Sequence, residues 1–188
     1  MTDHKLAHIH GRFQPFHREH LAYAAWAAAD AEELLVGITN ADPSHVRPET
    51  ADPDRDAPEA NPFTYYERHR MVRAALGVSG IEVPVRVLPF PINRPDLWDE
   101  YAPADAVHYV NVLEPWHEVK ADRLCDSGRA VVTKAGTRTV SGTEIRERMA
   151  AGEPSWRADV PEGVAAVLDD IDGPERVREL HERGGGPG

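Results

Sequence analysis

Short apolar segments alternate with longer helical segments along most of the chain, and this alternation is the strongest constraint on its fold. Strands are predicted at 6–9, 33–38, 83–88, 106–112 and 129–133. Helices are predicted at 19–29, 65–76, 116–124, 143–151, 162–170 and 174–183. Thr64 and Glu67 have the spacing of a capping box at the start of the second helix. Strands that alternate with helices indicate an α/β protein with a doubly wound parallel sheet, to which the last segments add C-terminal helices.

The length of 188 residues suits about one domain of this class. We expect a single domain over residues 1–183, interrupted by a long insertion loop at 41–61. That loop is rich in Asp, Glu and Pro and has no hydrophobic periodicity, so we expect it to be mobile. The last residues, 184–188, read GGGPG and are expected to form a disordered tail.

The charge balance excludes one class of partner and leaves another open. Acidic residues outnumber basic ones by 32 to 21, which gives a formal net charge of −11 at pH 7. Such a chain repels polyanions, so we expect no nucleic-acid partner, although a local basic pocket for one small phosphate compound is compatible with it. The only lysines are Lys5, Lys120 and Lys134, so a phosphate site would be built mainly from arginine.

Three features predict a cytoplasmic protein without a membrane partner. No apolar run approaches the roughly 20 residues that span a bilayer. The N-terminal residues MTDHKLAHIH are too polar for a signal peptide. The single cysteine, Cys125, cannot form an internal disulfide and suits a reducing compartment.

The segment GRFQPFHREH at 11–20 lies between the first predicted strand and the first helix, where open α/β sheets bind ligands. His17 and His20 are three residues apart, so both can project from one face near the helix N-terminus. The N–H groups and partial positive charge of that terminus favour phosphate, and Arg12 and Arg18 add charge. Two alternatives are surface histidines on an ordinary loop, and a metal site, for which the sequence offers no evident third ligand.

A second segment, TVSGTEIR at 139–146, combines small polar residues with the start of a predicted helix. Hydroxyl and N–H groups converge in such a turn and suit phosphate, and Arg146 would lie one turn into the helix. The alternative is a simple helix cap, with Ser141 or Thr143 as the N-cap and Arg146 in solvent. Lys134 and Arg138 are weaker candidates for the same phosphate clamp.

Together the two segments resemble the nucleotidylyltransferase superfamily of the HxGH type, and specifically the archaeal-type nicotinamide mononucleotide (NMN) adenylyltransferases. That family has a GRFQPFHxGH-like opening and an SGTEIRxRM-like helix start, and this chain has GRFQPFHREH and SGTEIRERM. Further pieces similar to the family occur in the expected order at 44–45, 61–64, 67–68, 97–98, 151–156 and 171–173. The resemblance covers almost the whole chain and implies a Rossmann-like nucleotidyltransferase fold.

The resemblance also implies the reaction and the residues that perform it. His17, His20 and Arg146 would be the catalytic residues. Nucleotide contacts would come from Gly11, Arg12, Phe13, Gln14, Ser141, Gly142, Thr143 and Arg146. An acceptor oxyanion would attack the α-phosphorus of a nucleoside triphosphate (NTP) in line, and pyrophosphate would leave. Mg²⁺ would be bound through the NTP phosphates, with no metal site in the protein itself.

Four departures from the family pattern concern its specificity pockets. Glu19 replaces the glycine of HxGH and adds a negative charge beside the expected phosphate site. The second strand ends in GITN at 37–40, where the family has a Gly-Ser-Ala-Gln-like ending, and a lengthened loop follows. The residues ahead of Trp98, PFPINRPD at 89–96, lack the acidic and amide residues of the family. Residues 110–112 read VNV where Gly-Asn is usual.

These departures favour a relative that activates another acceptor, namely a CTP-dependent cytidylyltransferase that acts on a small phosphonate in specialised metabolism. Arg12, Asn93, Arg94 and Trp98 would bind the acceptor, because Asn and Arg suit a small, highly anionic compound. One alternative is an NMN adenylyltransferase of NAD biosynthesis, and a non-enzymatic alternative is a nucleotide-sensing regulator. The sequence leaves open CTP against ATP, the acceptor, and a monomer against a homo-oligomer.

The loop at 41–61 has two interpretations that the sequence does not separate. It emerges beside the expected mouth of the active site, and its Arg47 and Arg55 could order over bound anions as part of a lid. It could equally be a tolerated surface insertion, because long loops cost little extra closure entropy.

Overall fold

The computed structural model describes residues 4–42 and 57–184. Within these ranges five strands form one parallel sheet in the order β3-β2-β1-β4-β5. The strands are β1 (His4–Gly11), β2 (Ala31–Ile38), β3 (Val85–Pro89), β4 (Val107–Val112) and β5 (Val131–Ala135). This order confirms the predicted doubly wound α/β class, with the first strand at the centre of the sheet.

All six predicted helices are present, each within two residues of its expected bounds. The helices are α1 (Arg18–Ala28), α2 (Tyr65–Leu76), α3 (Trp98–Tyr101), α4 (Pro115–Asp126), α5 (Gly142–Ala150), α6 (Glu162–Asp170) and α7 (Gly173–Gly184). The capping box of α2 is confirmed, since Thr64 accepts from the Glu67 N–H and the Glu67 carboxylate accepts from the Thr64 N–H. Each of these bonds satisfies a backbone donor that the first helical turn leaves unpaired.

The two faces of the sheet are covered by different helices. Along β1, Ala7 and Ile9 face a large core to which α1, α2, α5, α6 and α7 contribute. The alternate residues His8 and His10 face the opposite side, where α3 and α4 cover the sheet. This alternation follows from the two-residue period of a strand, and it makes the sheet the middle of three layers.

The structure differs from the predicted boundaries at several points. The third strand begins at Val85 rather than at 83, after Pro84, which has no N–H to give to a sheet ladder. Part of the predicted loop is ordered, because Pro58–Ala60 forms a turn of 3₁₀ helix against α7. Gly184, which was predicted to be the first residue of the disordered tail, is the last residue of α7. The rest of both predicted segments, 43–56 and 185–188, lies outside the described residues, as do Ser44, Arg47 and Arg55.

Three further elements were not predicted. They are α3 and the 3₁₀ turns Pro95–Leu97 and Pro154–Asp159. All three are short and begin near a proline, so their sequences lack the periodicity that identifies longer helices. In residues 4–42 and 57–184, no helix is long and apolar enough to cross a membrane.

Candidate active site

One cavity lies at the carboxyl ends of β1 and β4, where the N-terminal ends of α1, α4 and α5 meet. Every residue that was predicted to be catalytic or to bind the nucleotide lines it. These residues are Gly11, Arg12, Phe13, Gln14, His17, His20, Ser141, Gly142, Thr143 and Arg146. The two sequence segments are therefore neighbours in space, although more than 100 residues of chain separate them.

His17 and His20 form a stacked pair whose ring centroids are 3.6 Å apart. The backbone N–H of His17 donates to Nδ1 of His20 at 3.3 Å, so the proton of the neutral His20 ring is on Nε2. Burial lowers the pKa of His17 to about 4 and that of His20 well below its ordinary value. Both rings are thus neutral at pH 7, and each offers a single N–H donor rather than a full positive charge.

The loop between β1 and α1 is shaped by a close backbone approach. Phe13 adopts a left-handed conformation with a φ of 54°, and its ring packs edge-on against His20. A Cβ on Gly11 would lie 2.8 Å from the Phe13 ring, so only glycine fits there. The Gln14 side chain is bonded at both ends to the backbone of Phe63, at 2.9 and 3.0 Å. Phe13 and the Gln14 amide therefore hold the loop in shape around the histidine pair.

The α5 segment combines the two interpretations that the sequence left open. Ser141 is the N-cap of α5, since its hydroxyl accepts from the Glu144 N–H at 3.1 Å, and it also lines the cavity. The alternative in which Arg146 lies in solvent is wrong, because this side chain is only 8% exposed. Its guanidinium donates to the Gln14 carbonyl at 2.6 Å and to the Thr143 hydroxyl at 3.3 Å. Arg146 therefore connects the two segments.

Glu19 has a different role from the one its position suggested. We expected it to add a negative charge beside the phosphate site, and its side chain does line the cavity. Its Oε1, however, accepts hydrogen bonds from Thr139 and Val140, the two residues that precede the N-cap of α5. The charge is thus directed at backbone donors rather than left unpaired.

A group of cavity residues from β4 and α4 carried no recognisable motif. Lys120 donates to the carbonyl of His10 at 3.2 Å, and the rings of Trp116 and His117 stack at 3.7 Å. These residues follow the buried strand β4. The residues that follow parallel strands lie at one edge of the sheet, so the order of the strands could have predicted that these residues line the cavity. Arg138, a weaker candidate, also lines the cavity and pairs with Glu114 at 3.0 Å.

Lys134, the other weaker candidate, is not part of this wall. Its ammonium group lies over the ring of Trp26, 5.7 Å from the ring centroid. Lys134 lies within β5, whereas Arg138 follows the strand, at the edge where the cavity opens.

The residues that were predicted to bind the acceptor do not all line the same cavity. Arg12 lines the cavity described above, whereas Asn93 and Arg94 line a second, adjacent cavity that shares Ile92 with the first. Arg94 is held by Asp96 through two hydrogen bonds of 2.9 and 2.6 Å.

The prediction that Trp98 contacts the acceptor disagrees with its position. Its ring is 1% exposed and lies in the core of the α3 and α4 face, stacked on Phe90. The indole N–H donates to the carbonyl of Pro91 at 3.0 Å. Phe90 and Pro91 line the second cavity, so Trp98 supports that wall from behind. A large apolar ring gains more by burial than by exposure at a cavity mouth.

Arg68 was noted only as part of the family resemblance, yet its hydrogen bonds join the backbone segments beside the cavity. This buried side chain of α2 donates to the carbonyls of Arg12, Thr39 and Asn40, at 2.8, 2.7 and 2.8 Å. These carbonyls follow β1 and β2, so one guanidinium joins the ends of the two central strands. Burial lowers the pKa of Arg68 to about 10, which still leaves it charged at pH 7.

Metal ligation by the protein was not expected. In residues 4–42 and 57–184 there is no group of three or more His, Cys, Asp or Glu side chains that could hold a metal ion.

Solved structures with similar folds are nucleotide enzymes. A bifunctional NMN adenylyltransferase/ADP ribose pyrophosphatase from Francisella tularensis, solved with AMP and a Mn ion, superposes with a TM-score of 0.62 over 94% of this chain at 16% identity. This chain covers 52% of that protein, about half its length. The nicotinic acid mononucleotide adenylyltransferase of Plasmodium falciparum superposes with a TM-score of 0.54 at 9% identity. At these identities the likeness establishes the fold.

Sequence relatives establish the family. Phosphonoformate cytidylyltransferase of Streptomyces viridochromogenes is 42% identical over 173 residues, which cover 90% of this chain and 94% of that protein. Nicotinamide-nucleotide adenylyltransferase of Thermococcus onnurineus is 32% identical over 173 residues, covering 90% and 85%. The model of the cytidylyltransferase-like family matches residues 9–148, a range that includes both cavity-lining segments. The chain therefore belongs to the cytidylyltransferase-like family and is a nucleotidyltransferase.

Proposed function

We propose that this protein is a CTP-dependent cytidylyltransferase that transfers CMP to a small phosphonate and releases pyrophosphate. The observation that carries the proposal is the 42% identity to phosphonoformate cytidylyltransferase across 90% of the chain, against 32% for the NMN adenylyltransferases. It is supported by a cavity in which the histidine pair and the α5 segment are adjacent, while the residues around the second cavity depart from the adenylyltransferase pattern.

The triphosphate binds between the N-terminal ends of α1 and α5 in this proposal. Ser141 is the N-cap of α5 and Gly142 and Thr143 are its first residues, and their N–H and hydroxyl groups suit the β- and γ-phosphates. The approach is close, since a Cβ on Gly142 would lie 2.8 Å from the Gln14 carbonyl oxygen. A side chain at position 142 would separate the two segments that hold the phosphates.

The reaction needs no nucleophile from the protein. A phosphonate oxyanion attacks the α-phosphorus, a new P–O bond forms, and the bond to the β-phosphate oxygen breaks with its electron pair passing to pyrophosphate. Because the attacking oxygen is already ionised, no general base is required. His17 and His20 donate N–H groups to the α-phosphate oxygens, where negative charge increases in the transition state. Neutral rings serve as directional donors here, and their low pKa values fit that role.

Mg²⁺ enters as the counter-ion of the NTP in this proposal, bound through the phosphates. It would neutralise the charge that passes to the leaving pyrophosphate. The arginines of the cavity are donors only and each neutral histidine ring has one N–H, which suits phosphate oxygens.

The acceptor binds at the second cavity, which adjoins the first at Ile92, a residue that lines both. Asn93 and Arg94 provide the polar groups, and Arg94 would share its guanidinium between Asp96 and the incoming anion. Asp42 lies in the same wall and disfavours anions. The acids Asp42 and Asp96 beside Arg94 therefore limit how strongly the cavity attracts anions, and the acceptor must bind Arg94 together with Asp96.

A pyrophosphate-release assay tests the proposal. CTP and ATP are each combined with Mg²⁺ and with phosphonoformate, NMN or no acceptor. We expect rapid release with CTP and phosphonoformate, and a rate at least about 100-fold lower with ATP and NMN, a difference of about 2.7 kcal/mol. Faster release with ATP and NMN would instead establish the second candidate, an NMN adenylyltransferase, which the 32% identical relatives favour.

The non-enzymatic alternative has its own outcome in the same assay. A nucleotide-sensing regulator would bind NTP, and so raise the melting temperature, but would release no pyrophosphate with any pair. The His17→Ala variant is the matched background control, because contaminating phosphatases would survive the substitution and the proposed transfer would not.

A further inference from the structure

Glu19 connects the start of α1 to the segment that leads into α5. Its Oε1 accepts from the Thr139 N–H at 2.5 Å, the Thr139 hydroxyl at 2.7 Å and the Val140 N–H at 3.2 Å. Glu19 is the second residue of α1, and Ser141, the N-cap of α5, follows Val140 directly. A single carboxylate oxygen thus accepts from the two backbone N–H groups that precede the N-cap of α5.

Those backbone donors lie in irregular structure between β5 and α5, where no sheet or helix supplies acceptors. The bonds at Thr139 are exposed and the one at Val140 is half-buried, but all three have a charged acceptor, so the carboxylate of Glu19 favours one conformation of 139–140. The N-terminal end of α5 is held a second time through Arg146, which donates to the Gln14 carbonyl. Two independent connections therefore fix α5 against α1 and the loop before it.

The charge of Glu19 excludes a direct role in binding phosphate. A carboxylate a few ångströms from a triphosphate repels it, and at 4 Å two unit charges cost from about 1 kcal/mol in water to several near a protein surface. Three donors directed at one oxygen reduce that penalty by spreading the charge into the segment they anchor. The family that the chain resembles has glycine at position 19, which has neither the negative charge nor an oxygen that could accept these hydrogen bonds.

We propose that Glu19 is a positioning residue that holds segment 139–140 and thereby places the triphosphate-binding end of α5 opposite His17 and His20. This inference rests on the proposed function. Ser141, Gly142 and Thr143 already contact the β- and γ-phosphates in the ground state, so their displacement weakens NTP binding more than it slows the transfer step. The affinity for the acceptor, which binds at the second cavity, does not depend on this segment.

Steady-state kinetics of Glu19→Ala and Glu19→Gln test the inference. For Glu19→Ala we expect the KM for CTP to rise about tenfold, equivalent to about 1.4 kcal/mol, with kcat within about threefold and an unchanged KM for the acceptor. Glu19→Gln retains a carbonyl oxygen that can accept, so it should restore part of the affinity. Glu118→Ala is the matched control, since it removes an exposed acid from the first turn of α4 without touching 139–140.

A thermodynamic cycle adds a variant that leaves Glu19 in place. Thr139→Val removes only the hydroxyl bond and should raise the KM for CTP about twofold in the native background. In the Glu19→Ala background the same substitution should have no further effect, because the partner is already absent. Additive effects of the two substitutions would show that they act separately, which overturns the inference.

Amide hydrogen exchange of the free protein supplies a readout that does not depend on activity. Glu19→Ala should lose protection at the Thr139 and Val140 amides while the amides of the α5 interior keep theirs. Unchanged protection, or a KM for CTP that falls because repulsion alone was relieved, would overturn the positioning role. Failure of the native protein to transfer nucleotide would refute the proposed function, and exchange would still decide whether Glu19 holds the segment.

Discussion

At the scale of single residues, the histidine pair shows how burial sets chemical character. His17 is 5% exposed and His20 receives the His17 backbone N–H on Nδ1, so both rings are poor bases. A protonated pair would attract a triphosphate more strongly, but stacking two cations 3.6 Å apart would be highly unfavourable. The structure therefore favours donors of fixed direction over general acid–base groups.

The first prediction concerns this pair. His17→Ala or His20→Ala should each lower kcat by about 10²–10³-fold, since the lost donor acts mainly on the transition state. NTP affinity, measured by calorimetry, should fall much less. His181→Ala on the last helix is the control, because His181 is exposed and remote from the cavity. A lower melting temperature with normal activity of the folded fraction would contradict the catalytic assignment.

Arg146 carries the second prediction at this scale. Arg146→Ala should raise the KM for CTP at least about tenfold and also lower the free energy of unfolding by about 1–3 kcal/mol, because the buried Gln14 carbonyl loses its donor. Urea denaturation measures the second effect. Arg148→Ala on the same helix removes a pair with Asp159 instead and should leave the KM for CTP unchanged. Equal NTP affinity in Arg146→Ala would show that the residue is only structural.

At the scale of elements, the site depends on how strand ends and helix starts are joined. The central strands end at Gly11 and Ile38, and Arg68 of α2 donates hydrogen bonds to the backbone directly after each of them. On the other side, α5 is tied to the β1–α1 loop by Arg146 and to α1 by Glu19. These are hydrogen bonds between charged side chains and the backbone, in which the arginines donate and Glu19 accepts, and they fix the position of elements more directly than apolar contacts do.

The third prediction tests the strand junction. Arg68→Ala should lower the free energy of unfolding by about 3 kcal/mol or more, because it leaves three buried or half-buried carbonyls without their donor. The measurement is urea denaturation at pH 7.5. Arg73→Ala, an exposed arginine on the same helix, provides the comparison and should change stability by less than about 0.5 kcal/mol. Similar losses in both variants would refute the junction role.

At the scale of the whole molecule, five histidines of the described residues have a pKa that burial lowers. Besides His17 and His20, His8, His10 and His108 are buried on the α3 and α4 face, packed around Phe90. Burial is the largest cause that lowers the pKa of each, to about 3 for His108; the charge of Lys120 lowers all three, and that of Arg129 lowers the pKa of His8 and His108. A Cβ on Gly37 would lie 2.7 Å from the His8 ring, so a glycine makes room for the cluster.

The fourth prediction follows from proton linkage. A histidine whose pKa is lowered in the folded state contributes its full stability above the unfolded value of about 6.5 and loses it as the pH falls below. Each such group removes about 1.4 kcal/mol of unfolding free energy per pH unit in that range. Urea denaturation between pH 7.5 and 5 should therefore show a steep loss, with close to five protons taken up on unfolding at the acid end. A flat profile would contradict burial of neutral rings.

Local sequence determined the alternation of strands and helices and the two segments that line the cavity. Strand and helix periods, the Thr64–Glu67 capping box and the positions of His17, His20 and Ser141 depend on neighbours a few residues away. For the same reason the reaction class could be predicted from two segments of about ten residues each. The ends of parallel strands then brought both segments to one edge of the sheet, as strand order requires.

Only the tertiary structure decided what the long-range partners are. The Glu19–Thr139 and Arg146–Gln14 bonds join residues more than 100 positions apart in the sequence. The burial of Trp98 depends on which face of its helix is covered. As far as the local sequence is concerned, a carboxylate or an indole can occupy several environments of similar free energy. Packing selects one of them, because buried donors and acceptors must all be paired and large rings must leave water at the same time.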